Sequence, residues 1–131
     1  MAIFVDASAL VSIIAGEPDA DDLADRLEAH EDRVCSAMSL WESMTALVRT
    51  HGVAVDEARE RVFAYVEEGT FRIVGIAGRE LGIALDAWQR FGKGRHPAAL
   101  NMGDCLAYAC AKANDAVLLY KGNNFARTDL A

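Results

Sequence analysis

Asp6 directly follows four apolar residues, Ala2 to Val5, and an apolar segment with helical character follows it. A short apolar run is typical of a strand buried on both faces, and Asp is favoured at the start of a helix. A strand that leads directly into a helix is the repeating unit of parallel α/β sheets. The opening of the chain therefore favours an α/β fold.

The same alternation of strand and helix patterns continues along the chain. The predicted strands are 2–5, 33–37, 71–76 and 116–120. The predicted helices run from Asp6 towards Gly16, from Pro18 through Leu27, from about Ser39 to Thr50, from Asp56 through Tyr65, from Gly78 to Phe91 and from about Gly103 to Asn114. The chain has 131 residues, 53% of them hydrophobic, and no Pro- or Gly-rich linker. We expect a single domain, 1–131, with a mainly parallel sheet.

Composition limits the classes of function that the chain can have. A net charge of −7 opposes unaided binding of nucleic acid, so a nucleic-acid enzyme would need bound cations or local basic loops. No apolar run approaches the roughly 20 residues that cross a bilayer, and no basic leader precedes the first strand, so we expect a soluble, cytoplasmic protein. Three cysteines in apolar segments predict buried thiols rather than a disulfide or zinc site.

Three acidic residues stand where helices are predicted to begin, and each has a structural explanation. Asp6 can cap the helix that it precedes. Glu42 lies three residues after Ser39, which is the spacing of a capping box, and helical periodicity places it opposite an apolar stripe. Asp104 can interact with the helix dipole from the first turn of its helix. The stripe consists of Leu40, Trp41, Met44, Leu47 and Val48.

These acids also have a joint explanation. The carboxyl ends of neighbouring parallel strands meet at one edge of the sheet, so Asp6, Glu42 and Asp104 can converge there. Crowded carboxylates repel one another unless a cation compensates for their charge. Mg²⁺ or Mn²⁺ prefers such oxygen ligands and lowers the pKa of a bound water, which suits phosphodiester hydrolysis.

Four segments together resemble the VapC ribonucleases, the PIN-domain toxins of bacterial toxin–antitoxin pairs. They are IFVDASALVSIIAGEP, SLWES, GKGRHPAALNMGDCLAYACAK and LLYKGNNFARTDL, in family-like order over essentially the whole chain. The resemblance implies a PIN-like α/β/α sandwich and an endoribonuclease that acts on structured RNA. It also implies a VapB-like antitoxin and a homodimer.

The resemblance carries over Asp6, Glu42 and Asp104 as the acidic metal site, with Ser8 assisting it. The family has a fourth acid in a GNDF-like turn, where this chain has Asn124. An amide oxygen can still coordinate a hard cation, but the lost negative charge predicts weaker metal binding. The alternative hypothesis is therefore a catalytically weakened PIN fold that binds antitoxin or RNA.

The loop at 92–97 combines glycines with positive charge, so Arg95 and His96 are predicted substrate contacts. A solvated loop explains the same residues equally well. A phosphate-binding P-loop is excluded because its motif is absent. A phospho-acceptor regulator is discounted because Asp6 has no acidic neighbour at the end of the first strand.

Overall fold

Four short strands lie side by side in the order β3-β2-β1-β4, and all of them run in the same direction. The computed structural model describes residues 1–131. The strands are β1 Ala2–Val5, β2 Arg33–Ser36, β3 Arg72–Val74 and β4 Ala116–Leu119. The helices are α1 Ala7–Ala15, α2 Ala20–Glu28, α3 Ala37–His51, α4 Val55–Glu68, α5 Gly78–Phe91 and α6 Met102–Ala113. A 3-10 turn, Phe125–Arg127, follows the last strand.

Strand β1 occupies the interior of the sheet, between β2 and β4, and every one of its residues is buried. Its side chains alternate between the two faces: Phe4 belongs to one hydrophobic core, whereas Ile3 and Val5 belong to the other. Helices α5 and α6 cover the first core, and α1 to α4 supply the helices of the second. The predicted α/β/α sandwich with a parallel sheet is confirmed.

The predicted elements agree with the structure more closely at their centres than at their ends. Strand β1 and helix α5 have the predicted bounds, whereas α6 begins and ends one residue earlier than predicted. The prediction that Asp56 caps α4 is wrong: Ala54 stands at that cap and Asp56 lies in the first turn. An acid is also favourable there, because it faces the positive end of the helix dipole.

The apolar pattern predicts core positions for six residues: Leu23, Leu27, Leu47, Val48, Val62 and Tyr65. Four of them are buried, and Val48 and Tyr65 are partly buried and pack against the same core. Trp41 lies on the predicted apolar stripe of α3, beside Met44 and Val48, but it is 61% exposed because no other element covers it. All three cysteines are buried and free, as predicted. None of the helices is both long and apolar enough to span a bilayer.

Candidate active site

Asp6 stands at the end of β1 and caps α1, as its sequence position predicts. One oxygen of its carboxylate accepts the backbone N–H of Ser8 at 3.1 Å and the Ser8 hydroxyl at 2.6 Å. The Ser8 hydroxyl in turn accepts the backbone N–H of Lys121 at 3.0 Å, just beyond β4. Asp6 is only 5% exposed, so these contacts hold a nearly buried carboxylate in one orientation.

Asp104 lies in the first turn of α6, where it forms a capping box with Asn101. The backbone N–H of Asp104 donates to the Asn101 side-chain oxygen at 2.9 Å, and the backbone N–H of Asn101 donates to Asp104 Oδ2 at 3.1 Å. The side-chain amide of Asn124 also donates to Asp104 Oδ2, at 3.3 Å. The turn that the family resemblance singled out therefore lies beside the predicted acids.

Glu42 is not a capping residue, and the predicted capping box with Ser39 is wrong. Helix α3 begins two residues earlier than predicted, at Ala37, and its capping box joins Ser36 to Ser39. Glu42 therefore lies in the second turn of the helix. The periodicity that would leave it in solvent also fails, because its carboxylate is partly buried against α6.

A glycine at position 103 makes this approach of α3 to α6 possible. A Cβ atom added to Gly103 would collide with the carboxylate of Glu42. No other side chain fits this position without moving Glu42, because every other residue carries a Cβ atom. The sequence feature that could have indicated this close approach is Gly103, a residue without a side chain directly before Asp104.

The three predicted acids share one cavity of about 320 Å³ at the carboxyl ends of β1 and β2. We call it the acidic cavity. Its lining includes Asp6, Ser8, Glu17, Glu42, Arg49 and Asp104. Sequence reasoning missed Glu17 and Arg49. The spacing of Arg49, seven residues after Glu42, could have revealed it, because residues seven apart share a face of a helix.

The electrostatics of the acidic cavity oppose full ionisation of its acids. Burial raises the pKa of Asp6 and of Asp104 above their usual range. Burial first, and then the charges of Asp6 and Asp104, raise the pKa of Glu42 to about 7. Near neutral pH, three carboxylates that share one partly buried cavity therefore bind protons or require a compensating cation.

A second group of polar residues lies beside the acidic cavity, and we call it the paired cluster. Lys121 Nζ lies 2.6 Å from Glu17 Oε1 and 3.1 Å from Asp19 Oδ1, while His51 Nε2 lies 2.8 Å from Glu17 Oε2. These contacts lower the pKa of Glu17, with the Lys121 hydrogen bond as the largest cause. The pKa of Asp19 is also lowered, mainly by the Ser12 hydroxyl, which donates to it.

The basic loop places its two predicted substrate residues outside the lining of the acidic cavity. The guanidinium of Arg95 lies over the ring of Trp88, 4.3 Å from its centre. His96 Nδ1 accepts the backbone N–H of Ala98 at 3.0 Å, and its ring meets Phe91 edge to face. Contact of Arg95 and His96 with RNA stays a prediction.

The donor set of the acidic cavity fits a hard divalent cation. Its acids present carboxylate oxygens, which Mg²⁺ and Mn²⁺ prefer, and a bound cation would favour the charged forms that burial disfavours. No three acidic, histidine or cysteine side chains are already drawn together as ligands of one ion. Closure around an ion would require side-chain adjustment at Asp6, Glu42 or Asp104.

Comparison with known proteins identifies the family of this chain. Residues 3–130 match the family described as PIN domain. A VapC ribonuclease of Rhizobium meliloti is 40% identical to the chain, over 97% of this chain and 98% of that protein. The chain belongs to the VapC ribonucleases of the PIN domain family. Ribonuclease VapC30 of Mycobacterium tuberculosis is 36% identical to this VapC-like chain, over 97% of the chain and 95% of that protein.

Two solved structures share the fold of this VapC-like chain. The VapC20 toxin of Mycobacterium tuberculosis, described as cleaving the sarcin-ricin loop, aligns with a TM-score of 0.72 at 20% identity. That alignment covers 95% of this chain and 92% of VapC20. A toxin–antitoxin complex from Klebsiella pneumoniae aligns with a TM-score of 0.69 at 21% identity, over 99% and 94% of the two chains. At these identities the likeness establishes the PIN fold alone.

Proposed function

We propose that the protein is a Mg²⁺- or Mn²⁺-dependent endoribonuclease and the toxin of a VapBC-type module. The observation that carries this proposal is the acidic cavity, which brings Asp6, Glu42 and Asp104 together although none of the three forms an ion pair with a basic side chain. Burying such charges lowers stability, and enzymes retain arrangements of this kind where catalysis uses them. The relatives named as VapC ribonucleases support RNA as the substrate.

In this proposal Asp6, Glu42 and Asp104 hold the metal. A bound divalent cation would supply an activated water and stabilise the leaving oxygen. Ser8 fixes the carboxylate of Asp6, and the Asn101 capping box fixes that of Asp104, so neither acid reorients freely. Arg49, on the rim of the cavity, offers a cation to the RNA phosphate.

The residue at position 124 favours a second candidate function. Asn124 places an amide rather than a carboxylate beside Asp104, to which it donates a hydrogen bond. An uncharged residue there contributes less to cation affinity than Asp would. The alternative is therefore a PIN fold with weak turnover that acts mainly by binding its antitoxin or RNA.

The proposed partners follow from the family. A VapB-like antitoxin would cover the acidic cavity and silence the toxin, and the complex from Klebsiella pneumoniae supports a partner of this kind. A homodimer and a cytoplasmic location are also proposed, since both are usual for proteins that this chain resembles.

Incubation of the purified protein with total RNA tests the proposal. Cleavage is expected with Mn²⁺ or Mg²⁺, and EDTA or the substitution Asp6→Ala is expected to abolish it. Metal-independent cleavage that survives Asp6→Ala would overturn the mechanism. RNA binding without cleavage, by both the wild-type protein and Asn124→Asp, would favour the alternative.

A further inference from the structure

A groove between α3 and α4 opens beside the acidic cavity. It has a volume of about 590 Å³, and we call it the α3/α4 groove. Its lining consists of Trp41, Glu42, Met44, Thr45, Val48, Arg49, Val55 and Arg59. Glu42 and Arg49 line both the groove and the acidic cavity, so the two lie side by side. An RNA chain bound at the acidic cavity would therefore have the groove next to it.

Trp41 is the most unusual residue of the groove. It is 61% exposed, although it lies on the apolar stripe of α3. The exposed indole lies in the same groove as Glu42 and offers a flat apolar surface to a ligand. Unpaired nucleobases stack on such surfaces, and stacking is a principal way in which proteins bind single-stranded RNA.

The charge of the groove also suits RNA. The chain is acidic, with a net charge of −7, yet the groove carries Arg49 and Arg59 and has Glu42 as its one acid. Arg59 has a single carboxylate neighbour, Asp56, at 3.7 Å on a well-exposed surface. No ion pair involves Arg49. Both guanidinium groups can thus be offered to phosphates.

We propose that the α3/α4 groove is a subsite for single-stranded RNA, in which Trp41 stacks on an unpaired base and Arg49 and Arg59 contact adjacent phosphates. The inference rests on the proposed function and deepens it, because it states which form of RNA reaches the acidic cavity. A base held on Trp41 places the neighbouring phosphate near Glu42. The subsite therefore selects loops and unpaired ends over duplex RNA.

Trp88 provides a matched control, since the chain has two tryptophans. Trp88 is 41% exposed, but Arg95 covers its ring and it lines the cavity between α5 and α6 instead. In Trp88→Phe the remaining indole fluorescence comes from Trp41, and in Trp41→Phe it comes from Trp88. Both variants are made in an Asp6→Asn background, so that RNA stays intact in the presence of Mg²⁺.

Titration with an unstructured 12-nucleotide RNA, and with the same sequence as a duplex, gives the test. Single-stranded RNA is expected to quench the fluorescence of Trp88→Phe more strongly than that of Trp41→Phe, in which Trp88 can report only RNA bound at Arg95. In the Asp6→Asn background, Trp41→Ala is expected to raise Kd by about 10-fold or more. Arg59→Gln is expected to reduce the slope of log Kd against log salt by about 0.7, as one lost phosphate contact requires.

Several outcomes separate the subsite from the catalytic proposal. If the wild-type protein cleaves RNA but Trp41→Ala leaves Kd and KM unchanged, the subsite is wrong and the nuclease stands. Quenching of Trp41 by the 12-nucleotide RNA, together with no cleavage of total RNA by the wild-type protein, supports the subsite and overturns the nuclease. Absence of RNA binding by every form overturns the subsite. If Trp41→Ala binds RNA normally but no longer binds a co-expressed protein partner, the groove is a protein interface and not an RNA subsite.

Discussion

The acidic cavity and the paired cluster both contain carboxylates, but the pKa values of these carboxylates shift in opposite directions. In the cavity, Glu42 has a pKa raised to about 7 by burial and by neighbouring acids. In the cluster, the pKa of Glu17 is lowered by Lys121 and His51, although Glu17 also lines the cavity. The two glutamates therefore differ in their burial and in their charged neighbours, not in the carboxyl group itself.

We interpret the difference in pKa shift as a difference in role: the acids of the cavity are functional, and those of the paired cluster are structural. Carboxylates that have cationic partners within the chain need nothing further, and they connect the ends of α1, α3 and β4. Carboxylates without such partners weaken the folded state unless something outside the chain compensates for them. We expect substitutions in the two regions to separate activity from stability.

The largest expected effect is on catalysis. Glu42→Gln is expected to lower the rate of RNA cleavage by roughly 100-fold or more, since even residues that only orient metal ligands contribute about 10- to 100-fold. Glu17→Gln is the matched control and is expected to change the rate by less than about 5-fold. Single-turnover cleavage at saturating Mn²⁺ measures both. Equal losses of cleavage rate in the two variants would show that the acidic cavity and the paired cluster do not differ in function.

The next effect is on stability and its dependence on pH. In EDTA, the folded protein binds the Glu42 proton more tightly than the unfolded chain, because the pKa of Glu42 rises from 4.5 to about 7 on folding. The free energy of unfolding is therefore expected to fall as the pH rises through this interval. Glu42→Gln removes that fall and, after a discount for the partial solvent exposure of this carboxylate, is expected to stabilise the protein at pH 8 by about 2 kcal/mol, or roughly 5–10 °C in Tm.

Thermal denaturation at pH 4 and pH 8 checks this prediction. At pH 4 the wild-type protein and Glu42→Gln are expected to have similar Tm values, because Glu42 is protonated in both folded and unfolded states. Saturating Mg²⁺ at pH 8 is expected to raise the Tm of the wild-type protein more than that of the variant. A variant that is less stable than the wild type at pH 8 in EDTA would show that Glu42 is not an uncompensated charge.

A smaller effect is expected at position 124. Asn124→Asp adds a fourth carboxylate beside Asp104, which currently accepts a hydrogen bond from the Asn124 amide. The added charge is expected to tighten Mn²⁺ binding by about 10-fold in calorimetry. Without metal, the same variant is expected to be less stable than the wild type at pH 8, because it adds an uncompensated charge. Unchanged metal affinity would mean that position 124 lies outside the ligand set.

The smallest effect is expected in the paired cluster. Lys121→Met removes the partner of Glu17 and Asp19 but leaves the backbone N–H that holds Ser8. Only a small loss of stability is expected, because the side chains involved are partly exposed and screened by salt. Denaturation at low and high salt measures it, and the difference is expected to shrink at high salt. A large loss of cleavage would place Lys121 in the active site.

The two regions also differ in how far their residues could be predicted. The resemblance to the VapC ribonucleases identified Asp6, Glu42 and Asp104 together, and the structure brings them into one cavity. It did not identify the partners of Glu17, because Lys121 lies 104 residues away along the chain. The exposure of Trp41 could not be predicted, because helical periodicity identifies an apolar face but not whether another element covers it.

The sequence by itself determined the features that depend on near neighbours. The buried β1 strand, the cap formed by Asp6 and the place of Asp104 in the first turn of α6 each follow from a few consecutive residues. Only the tertiary structure decided the environment of Glu42, because it depends on how α3 packs against Gly103 in a distant helix. The pKa of a carboxylate reflects all the charges and surfaces around it, and those come from elements far apart in the chain.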